Sequence, residues 1–237
     1  MTSEMTPKCF DLVLSSGFLA FARQVGFLGA IEEAGIAVGG ICGTSSGALA
    51  GALWAAGVPA KHIGDLLKEP APLRRVGLSR TPWRGLLDMA PAISILEDYL
   101  PERFEDLARP FSVCVMNPAG EAELLSKGDL RAAVMASCAI PWLFAPVEIR
   151  GIRYRDGGVV DRTGLGPWRR LRPNHPVILH LVERTHGGAD QAMGQRVTIV
   201  RSPRSGARLW NLGPFDHQVT ETREQALATL AAAGVGQ

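Results

Sequence analysis

Ser45 sits in Gly43-Thr44-Ser45-Ser46-Gly47, with a glycine two positions away on each side. A short apolar run, Val38 to Cys42, leads into it, and a small-residue run, Ser46 to Ala56, leads out. A serine on a sharp strand-to-helix turn is exposed to attack a carbonyl, and side chains at positions 43 and 47 would crowd the strand and helix that meet there. The start of the following helix favours developing negative charge, and the Ser46 amide is a natural donor to an oxyanion. A tight turn with packing glycines is the plainer reading of the same string.

Far downstream, Asp156-Gly157-Gly158 ends an extended run from Glu148 to Arg155. Asp-Gly-Gly alone is a common turn. Paired with Ser45 it suggests more, because a partly buried carboxylate in contact with a serine hydroxyl can take its proton without a histidine. The five histidines keep a triad open. His62 falls on a surface helix, His180 in a buried strand, and His175, His186 and His217 in loops. Ser45, Asp156 and either His180 or His217 follow the chain order serine, acid, histidine.

These residues need a frame. Strands are expected at Phe10–Leu14, Val38–Cys42, Val177–Val182 and Val197–Val200. Phe111–Met116 and Glu121–Leu125 read as a pair around a turn, and Val147–Tyr154 as a hairpin about Gly151. Helices are expected at 23–34, 46–56, 59–68, 92–100, 129–138 and 220–233. Strands alternating with helices imply an α/β fold with a largely parallel sheet. The 237 residues suit one domain, 1–237. Residues 69–91, rich in proline and arginine, read as a lid-like excursion.

Net charge is +2, so no electrostatic footprint points to nucleic acid. No membrane span or cleaved leader is seen, which makes a cytoplasmic location the default. Cys9, Cys42, Cys114 and Cys138 are scattered among apolar neighbours and read as buried free thiols, with neither disulfides nor a metal site implied.

Three blocks, 11–36, 41–58 and 136–161, resemble the patatin-like phospholipases, a family of Ser-Asp lipid acyl hydrolases, and come in the family's order. In the third, Ala136-Ser137-Cys138-Ala139-Ile140-Pro141 leads to Asp156-Gly157-Gly158. The resemblance implies a three-layer α/β/α fold, Ser45 as nucleophile, Asp156 as general base, and oxyanion donors at the Gly17, Phe18 and Ser46 amides. It implies a lipid or small-ester substrate, transient contact with a membrane surface, and no cofactor. Two departures stand out. The glycine-rich first loop is here Ser16-Gly17-Phe18-Leu19-Ala20-Phe21, without its basic residue at position 20; Arg23 is the nearest in sequence. After the aspartate, Asp161-Arg162 stands where the family often has Asp-Asn. The altered loop motivates an alternative, a fold that binds acyl ligands but hydrolyses poorly, beside the Ser-His-Asp esterase.

Several other residues carry two readings each. Arg162, Arg169, Arg170 and Arg172 are either a phosphate or lipid-surface contact or a solvated face. Trp83, Leu86, Leu87 and Met89 are either an apolar edge for acyl chains or packing of the excursion. Trp142 and Phe144 either line an acyl pocket or belong to the core.

Overall fold

The computed structural model describes residues 9–68, 77–78, 86–88, 97–183, 196–208 and 211–236. Ten strands occur among them: β1 (Phe10–Leu14), β2 (Val38–Thr44), β3 (Gly77–Leu78), β4 (Leu87–Asp88), β5 (Phe111–Met116), β6 (Ala122–Leu125), β7 (Val147–Ile149), β8 (Ile152–Asp156), β9 (Val177–Val182) and β10 (Val197–Ser202). The α-helices are α1 (Phe21–Glu33), α2 (Ser46–Ala55), α3 (Ala60–Lys68), α4 (Leu130–Cys138), α5 (Leu165–Leu171) and α6 (Phe215–Ala232).

The central sheet runs β10-β9-β1-β2-β5-β8-β7, with β6 also paired to β5. From β10 to β5 every pairing is parallel; β6, β7 and β8 add an antiparallel side. Parallel strands need crossovers; α1 supplies the one from β1 to β2, and helices cover both faces of the sheet. The alternation along β1 shows it. Leu12 and Leu14 enter the large core with residues of α1, α2 and α6, whereas Val13 joins Leu165 and Trp168 of α5 in a second core. The fold is thus three-layered, as the patatin resemblance implies.

The register places the two candidate residues. Thr44, the last residue of β2, pairs with Cys114 of β5. The next residue of β5, Val115, pairs with Asp156 at the end of β8. Consecutive positions on β5 therefore bring Ser45 and Asp156 side by side.

Some expectations change. The last helix starts at Phe215 rather than 220, because Phe215 is buried and Pro214 is tolerated at a helix start, so His217 is helical and exposed. Helix α5 was not expected; its signal is the Leu165–Trp168 pair, one turn apart and buried together. Of the helix expected over 92–100, residues 97–100 form turns, and the remainder lies outside the described residues. Most of 69–91, including Trp83 and Met89, also lies outside them; β3 and β4 there pair antiparallel. Cys9 is exposed, just before β1 becomes buried, whereas Cys42 and Cys114 are buried and Cys138 partly so.

Candidate active site

Ser45 joins β2 to α2 with φ 53° and ψ −119°, a conformation L-residues avoid. The flanking glycines make the turn fit. A Cβ on Gly43 would lie 2.5 Å from the Gly47 carbonyl oxygen, and one on Gly47 would lie 2.3 Å from that of Leu14. Gly157 and Gly158 are equally constrained, their Cβ positions falling 2.5 Å from the Cys114 carbonyl and 2.7 Å from Ser16 Oγ.

Ser45 Oγ donates to Asp156 Oδ2 at 2.8 Å, while the Gly158 amide donates to Asp156 Oδ1 at 2.7 Å. Asp156 is 4% exposed. Burial pushes its carboxyl up to about 6, with the hydrogen bonds from Ser45 and Gly158 pulling the other way. The carboxylate therefore takes a proton far more readily than an exposed aspartate, yet is ionised above pH 6.

A pocket of about 400 Å³ opens over this pair and is lined by Gly17, Phe18, Ile140, Val159, Arg162 and Arg204, among others. Gly17 and Phe18 thus line the same pocket as Ser45. Leu19, at φ 48°, makes the sharp bend of their loop despite the missing glycines. Ser46 opens α2, so its amide lies outside the helical hydrogen-bond ladder.

Other sequence expectations sort differently. Trp142 is 88% exposed and Phe144 is buried; from that segment the pocket takes Ile140 instead. The four arginines do not form one patch. Arg172 grips buried Asp11 through Nε at 2.7 Å and a second nitrogen at 3.0 Å, Arg169 and Arg170 lie in the last turn of α5, and Arg162 lines the pocket. Arg23 pairs with Glu221 at 2.6 Å and with Thr222, on α6 rather than in the pocket. Arg162 instead donates to the carbonyls of Ser16 and Val182, and its own carbonyl accepts the Ser16 amide.

No described histidine meets the pair. His180 is buried, stacked on Phe27, and has one ring nitrogen at Gln24 Oε1 (2.8 Å) and the other at Ser202 Oγ (3.0 Å). Burial lowers its pKa to about 3, so it is neutral. Among the described residues, no group of three or more His, Cys, Asp or Glu could hold a metal ion. Sequence reading also missed Ser137, whose side chain contacts the Ser45 amide; only its place in the Ala136–Pro141 segment hinted at it.

The architecture is that of an α/β protein with a serine–carboxylate pair where the parallel sheet meets its antiparallel side. A family model of patatin-like phospholipases matches residues 12–167, more than half the chain. The chain belongs to that family. An uncharacterised NTE family protein of Mycobacterium tuberculosis is 31% identical over 160 residues, covering 66% of this chain and 44% of that protein. A lysophospholipase nte1 of Aspergillus niger is 31% identical over 162 residues, covering 63% of this chain and 10% of the fungal one. The chain thus spans less than half the length of these curated relatives. Among solved structures, VipD from Legionella pneumophila superposes with a TM-score of 0.56 at 15% identity, over 95% of this chain and 67% of VipD. The type III effector ExoU gives 0.54 at 15% identity, over 95% and 53%. Both share the fold.

Proposed function

We propose that this chain is a serine acyl hydrolase that cleaves carboxylic ester bonds of lipids or small esters. The 2.8 Å contact between Ser45 Oγ and Asp156 Oδ2, at a strained strand-to-helix turn facing a pocket, carries this reading. Asp156 takes the Ser45 proton as Oγ attacks the ester carbonyl. The amides of Gly17, Phe18 and Ser46 hold the oxyanion. Collapse of the tetrahedral adduct breaks the bond to the leaving alcohol, which receives the proton from Asp156, and an acyl-Ser45 remains. Water then gives a proton to Asp156 and attacks the acyl carbon; the acid departs and Ser45 recovers its proton. The proposed steps call on no metal or cofactor.

Family membership supports a lipid substrate, and the name of the fungal relative supports a lysophospholipid among the first to try. The pocket mouth supports a lipid-facing rim. Phe18 is 50% exposed and Val159 56%, and both line the pocket. Trp142 and Leu86, joined by a main-chain hydrogen bond, are also exposed. Exposed apolar groups, Phe18 and Val159 at the pocket and Trp142 and Leu86 on the surface, suit a lipid–water boundary.

The test is Ser45→Ala against a panel of lysophospholipids and short-chain esters. Loss of all turnover in a folded variant is expected; retained turnover overturns the assignment. An inactive wild type that still retains fatty acid would favour the binding protein.

A further inference from the structure

Three consecutive residues at the end of α4 hold the main chains of the two site residues. The Ser45 amide donates to Ser137 Oγ at 2.8 Å. Cys138 Sγ contacts the Ser45 carbonyl at 3.4 Å. The Asp156 amide donates to the Ala139 carbonyl at 3.0 Å. Ser137 is fully buried, and its hydroxyl donates onward to the Cys114 carbonyl at 2.7 Å. Cys114 is the β5 residue next to Val115, the partner of Asp156.

We propose that Ser137 is a positioning residue, its hydroxyl fixing Ser45 in the strained turn and tying that turn to the strand that seats Asp156. A backbone held at φ 53° and ψ −119° is strained and persists only where its surroundings impose it. A serine hydroxyl has one proton to give and lone pairs to accept. Here the proton goes to β5 and a lone pair takes the Ser45 N–H, so one side chain satisfies both groups. Without it, a partly buried amide and a buried carbonyl lose this partner together. Relaxing the turn is the ready response, and that draws Ser45 Oγ away from Asp156 Oδ2. Misplacing a reacting atom by about 1 Å can cost on the order of 100-fold in rate. Nothing of Ser137 lines the pocket, so substrate affinity has no reason to change.

The inference rests on Ser45 and Asp156 being the reacting pair. The experiment measures kcat and KM of Ser137→Ala on a soluble ester, and the rate at which a fluorophosphonate labels Ser45. Leu230→Ala, buried in α6 away from the pocket, serves as a variant of lowered stability. Ser137→Ala should lose about 30- to 100-fold in kcat and in labelling rate with KM within about twofold, while Leu230→Ala keeps its kcat. Equal losses of kcat in both variants, or a Ser137→Ala kcat near wild type, would overturn the role. If Ser137→Ala does not fold, Ser137→Cys is measured. Its longer, weaker partner should still lower kcat at least about fivefold, and a wild-type kcat there would overturn the role. Failure to label the wild type at Ser45 would instead refute the reacting pair itself.

Discussion

Replacing Asp156 with asparagine should stabilise the protein at neutral and alkaline pH while slowing its hydrolysis at least about 100-fold. Burial raises the carboxyl from its ordinary 3.8 to about 6. The folded chain therefore holds a proton up to about pH 6 that the unfolded chain gives up near pH 4. Stability from this group is fully present below the unfolded value and is lost as pH rises through about 6. At about 1.4 kcal/mol per pH unit, the gap corresponds to about 3 kcal/mol. Asparagine carries no charge to desolvate. Its Oδ1 can accept the Gly158 amide and its Nδ2 can donate to Ser45 Oγ, leaving one Nδ2 hydrogen without an assigned acceptor. The expected gain at pH 8 is therefore about 1–3 kcal/mol, or about 3–10 °C in Tm for a chain of this size. The assay is thermal unfolding of both proteins from pH 4 to pH 8, with ester turnover measured in parallel. The two should unfold at similar temperatures near pH 4, diverge as pH rises from 4 to about 6, and keep a constant difference above that. Turnover should fall about 100- to 10,000-fold. An asparagine variant less stable than wild type at pH 8, or a difference that does not change with pH, would refute the reasoning.

Other outcomes follow from the same geometry. Ser45→Gly should raise stability by about 1–3 kcal/mol in denaturant unfolding while removing activity, because glycine adopts the turn without strain. Gly47→Ala should cost at least about 1–3 kcal/mol, since the new methyl meets the Leu14 carbonyl 2.3 Å away; chemical denaturation measures it. His180→Gln should lower Tm yet leave kcat within about threefold, because the ring nitrogens serve Gln24 and Ser202 rather than Ser45; a loss like that of Ser45→Ala would restore the triad. Trp142→Ala should slow hydrolysis of vesicle-borne substrate several-fold more than that of a dissolved ester, as expected for about 1 kcal/mol or more of lost lipid contact, read by comparing the two rates.

Much of this arrangement was legible in the sequence where local pattern and local structure coincide. The fully buried run Phe10–Leu14, the glycines around Ser45 and the turn at Asp156 each reflect a constraint acting within a few residues. What was not legible depends on neighbours brought together by the sheet. Ser137 reaches Ser45 across 92 positions, and Arg172 reaches Asp11 across 161. An arginine beside two others reads as a solvated face until the partner strand shows its buried carboxylate. Arg162 looked like the loss of a family residue, yet it straps the Ser16 loop, which keeps only Gly17 of the expected glycines. Trp142 read as either pocket lining or core, but it is exposed at the surface, where its backbone φ is 71°.

In the proposed reaction Ser45 is an activated nucleophile. Intact-protein mass spectrometry over time with a fluorophosphonate probe tests this most directly, run on wild type, Ser45→Ala and Asp156→Asn. A single adduct mapped to Ser45, absent from Ser45→Ala and formed much more slowly on Asp156→Asn, is the predicted result. A folded wild type that takes up no probe, or takes it up on another residue, would contradict it.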